Sequence, residues 1–312
     1  MSETLKIGTR GSPLAIAQTT LVLQLLRQAY RNDRFIDDAE LVEVKTTGDR
    51  IQDRSLADIG GKGLFTKEID RALLEGHCDI AVHSLKDVET KMTPGIVVAA
   101  IAEREDTRDV WVSREGTGMF DTKPDSVFGS CAPRRIAQVQ HLRPDLRFTS
   151  LRGNVHTRMH KIQTGIIDAA LFAYAGLKRA GIMSDEFEIV PHDVLLPAVS
   201  QGAMAITCRA EDQAMQQMLR SINHKPTETA VTAERAMLTA LGGSCRTPIA
   251  GFAEIIDDDT IKLSGLISSL DGSKIVRGEL MGNDPYELGQ QLAEKLIADS
   301  DGEYIKWQRA AS

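Results

Sequence analysis

The chain has 312 residues, 42% of them hydrophobic and 26% charged, with a formal net charge of −7. This is an ordinary globular composition that excludes a disordered or fibrous chain, and at roughly 100–200 residues per domain it allows two or three domains. The negative balance excludes a global field that draws nucleic acid or acidic lipid, so any anion must be held by local basic clusters.

In chain order, Leu5–Thr9 reads as a short apolar strand. Leu14, Ala17, Leu21, Val22, Leu25, Leu26 and Ala29 form one stripe, which predicts an amphipathic helix over Ser12–Tyr30. Leu41–Thr46 alternates as a strand does, Phe65–Leu74 returns to helical spacing, and Asp79–His83 and Ile96–Ile101 are strands again. A second unit repeats this grammar, with strands at Asp109–Val112, Val127–Gly129, Arg147–Leu151 and Ala169–Phe172 and helices at Pro133–Leu142 and His156–Gln163. The strand Ala203–Arg209 has no new unit around it and is expected to return to the first sheet. A helix at Thr229–Leu241, three alternating strands near Ala250–Ile255, Ile261–Ser268 and Lys274–Leu280, and a helix at Pro285–Ala298 follow.

The expected fold class is therefore α/β: two hinged open-sheet lobes, mainly parallel, joined by a double crossing in the manner of periplasmic binding proteins. A small C-terminal α+β domain with a three-stranded antiparallel sheet completes it. The expected domains are 1–103 with 197–220, then 104–196, then 221–312. The first residues carry no apolar signal region, and no stretch approaches the ~20 apolar residues of a membrane span. The four cysteines, Cys78, Cys131, Cys208 and Cys245, are widely spaced and form no CxxC pair, so neither a disulfide framework nor a zinc site is indicated. A reducing cytoplasm is the expected compartment.

Of the 37 basic residues 23 are Arg, a tilt toward bidentate recognition of carboxylate or phosphate. Several stand at expected strand-to-helix turns: Arg10 before Ser12-Pro13, Arg134-Arg135 after Pro133, Arg152 and Arg158 at the next turn, and Arg179 at another. Helix N-termini present unpaired N–H groups, so such an edge suits several acid groups at once. Gly60-Gly61-Lys62-Gly63 is a glycine-rich loop without the P-loop pattern. His83-Ser84-Leu85-Lys86-Asp87 leaves the C-terminal end of an apolar strand, where ligands of open α/β sheets bind, and offers a hydroxyl, a cation and a carboxylate. Cys245 sits among glycine and serine, with room for a bulky group, although a lone cysteine is more often a small buried hydrophobe.

These motifs together resemble the hydroxymethylbilane synthase (porphobilinogen deaminase) family. The blocks are KIGTRGSPLAIAQ from Lys6, GGKGLFTKEID from Gly60, DIAVHSLKDV from Asp79, EREDTRDVWVS from Glu103 and LRGNVHTR from Leu151, then AGLKRAGI from Ala175, LPAVSQGAM from Leu196, TAERAML from Thr232 and GGSCRTPIAG from Gly242. The resemblance implies a monomeric transferase that joins four porphobilinogen molecules head to tail with loss of ammonia. Its cofactor would be a dipyrromethane bound covalently through Cys245, with Asp87 catalytic. Ser84, Lys86, Arg134, Arg135 and Ser130 would hold the cofactor, and Arg10, Ser12, Lys62, Arg152, Arg158 and Arg179 the substrate carboxylates. No metal, nucleic acid or membrane partner is implied. The chain departs from the family's usual pattern at Asp58, at Glu89 and at Ser130-Cys131-Ala132-Pro133. The competing expectation is a non-catalytic two-lobe anion-binding protein or an inactive relative.

Overall fold

The computed structural model describes residues 4–50, 66–244 and 247–311. The chain divides into two compact units, one running to Glu105 and including Gly202–Glu228, the other taking Asp106–Gln201 and the residues from Thr229 on.

In the first unit β1 (Lys6–Thr9), β2 (Glu40–Glu43), β3 (Ile80–Ser84), β4 (Ile96–Ile101) and a late strand, Met204–Arg209, form one sheet. The late strand lies between β3 and β4 and is antiparallel to both, whereas β1 runs parallel to β2 and β3. The expected return to the first sheet is thus observed, and four of the five strands run one way as expected, the returning strand alone opposing them and making the sheet mixed. Helix α1 (Pro13–Ala29) buries Val22, Leu23 and Leu26 against Ile7, Ile80, Val82 and Ile206 on one face. On the other face α2 (Lys67–Leu74) buries Ile69 and Leu73 against Ala81 and Ile96. A sheet covered on both faces explains why its central strands read as continuous apolar runs.

The second unit begins with an equivalent sheet. Strands β5 (Asp109–Ser113), β6 (Val127–Gly129), β7 (Arg147–Thr149), β8 (Ala169–Ala173) and β9 (Glu188–Val190) are ordered β7-β6-β8-β5-β9. Here too β6, β7 and β8 are parallel and β5 is antiparallel to both neighbours. Trp111 stacks on Phe128 at 5.3 Å between ring centroids, in a core with Val139 and Leu171. Helices α3 (Pro133–Leu142), α4 (Val155–Gln163) and α5 (Tyr174–Arg179) each follow a parallel strand.

We label the late strand of the first unit β10; α6 (Gln213–Leu219) follows it, and α7 (Lys225–Ala240) leads to a three-stranded antiparallel sheet of β11 (Ile249–Asp257), β12 (Thr260–Ser268) and β13 (Ile275–Gly282). Met237, Leu263, Ile267, Leu292 and Leu296 form its core under α7 and α8 (Pro285–Asp299). A further helix, α9 (Glu303–Ala311), adds Tyr304 and Trp307 to this core. Among the described residues no helix is long and apolar enough to cross a membrane.

One glycine in the return segment is fixed by geometry. Gly202 has φ +87°, and a Cβ there would collide with the Glu105 carbonyl. Both the left-handed backbone and the close approach require glycine.

Candidate active site

In the first unit β1 and β3 are adjacent and parallel, with Ile7 opposite Ile80, so their C-terminal ends share one edge of the sheet. There β1 gives way to α1, whose N-cap Ser12 accepts from the Ala15 amide at 3.3 Å and whose first position is Pro13. The other first-turn amides and the Arg10 side chain make this edge suited to an anion. From the neighbouring strand Ser84 pairs its hydroxyl with Gln18, at 2.9 Å to the amide nitrogen. Gln18 is buried on α1, so the hydroxyl is positioned by helix packing rather than by the turn itself.

Past Ser84 the chain makes a single tight turn over Leu85–Asp87. The Leu85 amide donates to Ala203 O at 3.0 Å, and the Leu85 side chain is buried. This anchor leaves Lys86 half-buried and Asp87 exposed at the strand end. Asp87 thus stands where a ligand of an open α/β sheet can reach it.

Beneath the turn, His83 is buried and its Nε2 lies 3.1 Å from Thr207 Oγ1. Burial, with the Arg10 charge second, pulls the imidazole down to about 4. The folded state therefore favours neutral His83, while the unfolded side chain titrates near 6.5. Stability is fully present above about pH 6.5 and is lost as pH falls toward the folded value. Between pH 7.5 and pH 5 we expect a loss of about 2 kcal/mol from this group. Urea midpoints at the two pH values should register it in the wild-type chain and much less in His83→Gln; equal pH dependence in both proteins would rule it out.

In the second unit the parallel strands β6, β7 and β8 end together, with Gly129 opposite both Thr149 and Ala170. Ser130 is buried, and its hydroxyl accepts from the Ala132 amide at 3.1 Å just before α3, whose N-cap Ala132 offers no side-chain cap. Arg134 and Arg135, the next residues of the helix, are also buried. Their charges converge on Asp109 at the start of β5, with Arg134 Nη1 2.8 Å and Arg135 Nη2 2.7 Å from its two carboxylate oxygens. Arg134 also donates to Leu196 O at 2.7 Å and Arg135 to Leu171 O at 2.9 Å. Gln201 completes the cluster by donating to Asp109 at 2.9 Å and to Thr107 O at 2.7 Å. Burial opposes ionisation of Asp109, but the two guanidinium groups overcome it and hold the carboxyl well below the usual range.

Arg152 and Arg158 differ from that pair. Arg152 follows β7, and its Nε and Nη2 are buried without a hydrogen-bond partner. Arg158 lies on α4, capped by Asn154, and its guanidinium carbon sits 4.7 Å from the centre of the Phe172 ring. Its Nε is likewise buried and unpaired, and burial, with Arg135 second, lowers its pKa to about 10. Unsatisfied buried donors are costly in the protein alone, and carboxylate groups are the acceptors whose geometry matches them. The site fits a carboxylate-rich ligand on this ground.

The sequence expectation fails for the position of Arg179. It is the last residue of α5, not the first, so it lies at the helix C-terminus rather than at the strand-to-helix junction. Tyr174–Arg179 is too short for helical periodicity to be read beforehand. Lys62, Asp58, the glycines around them and Cys245 lie outside the described residues. Asp109, Gln201 and Gln18 were not singled out from the sequence, and a buried polar residue opening an apolar strand was the signal available for Asp109. Among the described residues no cluster of three His, Cys, Asp or Glu side chains is placed to hold a metal ion.

The family model described as "Porphobilinogen deaminase, dipyromethane cofactor binding domain" matches residues 5–217. A second, "Porphobilinogen deaminase, C-terminal domain", matches residues 228–298. The chain is 45% identical over 297 residues to the porphobilinogen deaminase of Geotalea daltonii, covering 95% of this chain and 92% of that one. It is 42% identical over 299 residues to the chloroplastic porphobilinogen deaminase of Pisum sativum, covering 94% and 81% respectively. Among solved structures, the ligand binding component of an ABC-type import system from Staphylococcus aureus aligns over 76% of this chain and 73% of its own. Its sequence identity is 14% and the TM-score 0.39.

Proposed function

The chain belongs to the porphobilinogen deaminase family, and on that premise we propose that Asp87 is its catalytic carboxylate and Cys245 the attachment point of its dipyrromethane cofactor. The enzyme is a transferase that condenses four porphobilinogen molecules head to tail, with loss of ammonia, into hydroxymethylbilane. A non-catalytic anion-binding role is not favoured by the family match.

The bound dipyrromethane supplies the pyrrole end to which the first substrate is joined. The protein's part is binding, orientation and electrostatics. Each substrate bears acetate and propionate groups, so the growing product is a polyanion that arginines grip bidentately. Loss of ammonia leaves a cationic substrate. The Asp87 carboxylate accepts hydrogen bonds from pyrrole N–H groups and offsets that positive charge, and its exposed position at the end of β3 suits both roles. Arg10, Ser12, Lys62, Arg152, Arg158 and Arg179 are assigned to substrate carboxylates, and Ser84, Lys86, Ser130, Arg134 and Arg135 to the cofactor. We further assign three domains, 1–103 with 197–220, 104–196 and 221–312, to a monomer working in the cytoplasm.

The observation that carries this reading is the set of buried, unpaired guanidinium nitrogens on Arg152 and Arg158. The test is the intact mass of the purified chain. It should exceed the sequence mass by about two porphobilinogen units less the ammonia lost, with the adduct mapping to the peptide that contains Cys245. A bare mass, or an adduct on another cysteine, would overturn the assignment.

A further inference from the structure

We propose that Cys131 is a modification site, a thiol placed on the arginine-bearing edge of the second unit so that carboxylate-bearing disulfides exchange with it. The inference rests on the reading of that edge as a carboxylate site. Strands β6 and β7 are parallel neighbours, and the Ser130 amide still donates to Thr149 O at 3.0 Å as both strands run out. One residue further, Cys131 is exposed, and its Sγ lies 3.0 Å from Ser150 Oγ. Cys78 and Cys208 are buried, and burial pushes each thiol up to about 11, so both are inert. An independent observation supplies the ligand chemistry. Arg158 interacts electrostatically with Cys131 while its own Nε is buried and unpaired, and Arg152, two residues after Ser150, has two further unpaired nitrogens. Fixed positive charge on this edge attracts an anionic disulfide to the exposed sulfur.

The step balances simply. Cys131 loses its proton to solvent, the thiolate attacks one sulfur of the disulfide, the S–S bond breaks, a new bond forms to Cys131, and the second sulfur leaves as a thiolate that takes up a proton. The group then sits where substrate carboxylates bind.

The test treats the cofactor-bearing enzyme with glutathione disulfide or with neutral bis(2-hydroxyethyl) disulfide, followed by intact mass and peptide mapping. We expect one adduct, on Cys131, forming roughly tenfold faster with the anionic reagent at low salt. That preference should collapse at high salt, where the charges are screened. Turnover should fall in step with the adduct and return with dithiothreitol. Cys131→Ser should keep turnover and resist the reagent. An adduct on Cys78 or Cys208, equal rates for the two reagents at low salt, no adduct at all, or continued inactivation of Cys131→Ser would each overturn the proposal. Failure of exchange in an enzyme with cofactor mass and normal turnover removes this inference alone. Absence of the cofactor mass removes the catalytic reading instead.

Discussion

Replacing Asp87 by Asn is expected to lower kcat by about 10²–10³-fold while leaving the fold intact. The two side chains have nearly the same shape, and residue 87 is exposed, so the stability change should stay within about 0.5 kcal/mol. What changes is the chemistry. A carboxylate offers acceptors only and a full negative charge, whereas the amide offers one acceptor, two donors and no charge. A pyrrole N–H then meets an N–H donor, and the cation left by ammonia loss has no counter-charge. Because Leu85, not Asp87, anchors the turn through its buried side chain and its bond to Ala203 O, the backbone there should not move. Three measurements check the expectation: the rate of product formation, the thermal midpoint and the intact mass. The mass distinguishes a slow enzyme from one that never acquired its cofactor. A variant carrying the cofactor and turning over at a near-normal rate would refute the role given to Asp87.

Much of this arrangement was legible in the sequence because it rests on local rules. Ser12-Pro13 before an amphipathic stripe gives the start of α1, and the structure places cap and proline as expected. The apolar run before Ser84 gives β3 and hence the edge at which Lys86 and Asp87 emerge. The direction of the one opposed strand in each five-stranded sheet was not legible. A strand buried on both faces has the same apolar pattern whichever way it runs, so nothing local marks β5 and β10 as antiparallel to their neighbours. The Asp109 cluster was hidden for a related reason. It joins residues 25 and 26 positions apart, and a further partner, Gln201, much later in the chain, so only the folded sheet brings them together. Adjacent arginines opening a helix did announce a carboxylate, but the first carboxylate they meet is the protein's own. Two cations on one anion leave an excess of one positive charge, so the cluster can still attract an acidic ligand while Asp109 fixes the geometry in which it does so.

That arrangement makes Asp109→Asn the substitution with the largest expected cost in stability. Asp109 is 0% exposed and Arg134 and Arg135 are 5% and 7% exposed, so water cannot replace the lost charge. Their bonds to Leu196 O and Leu171 O remain, yet two buried cations are left side by side with no counter-ion. Removing one partner from a buried ionic cluster typically costs 3–5 kcal/mol, and a thermal midpoint lower by on the order of 10 °C follows for a chain of this size. The wild-type contribution has a defined pH window. Because the folded carboxyl is held below its ordinary value near 4, its stabilisation is present above that pH and is lost only as acid titrates the group. Denaturant midpoints at neutral pH should show the loss, and a cost under about 1 kcal/mol would mean that the cluster is not held by its charges. The replacement Asp109→Leu with Arg134→Met and Arg135→Leu sharpens the argument. Apolar side chains of similar volume often match or exceed a buried ionic cluster in stability, so the triple variant should regain most of the loss. If Arg134 and Arg135 bind the cofactor, it should do so without regaining turnover, separating what the cluster contributes to the fold from what it contributes to the reaction.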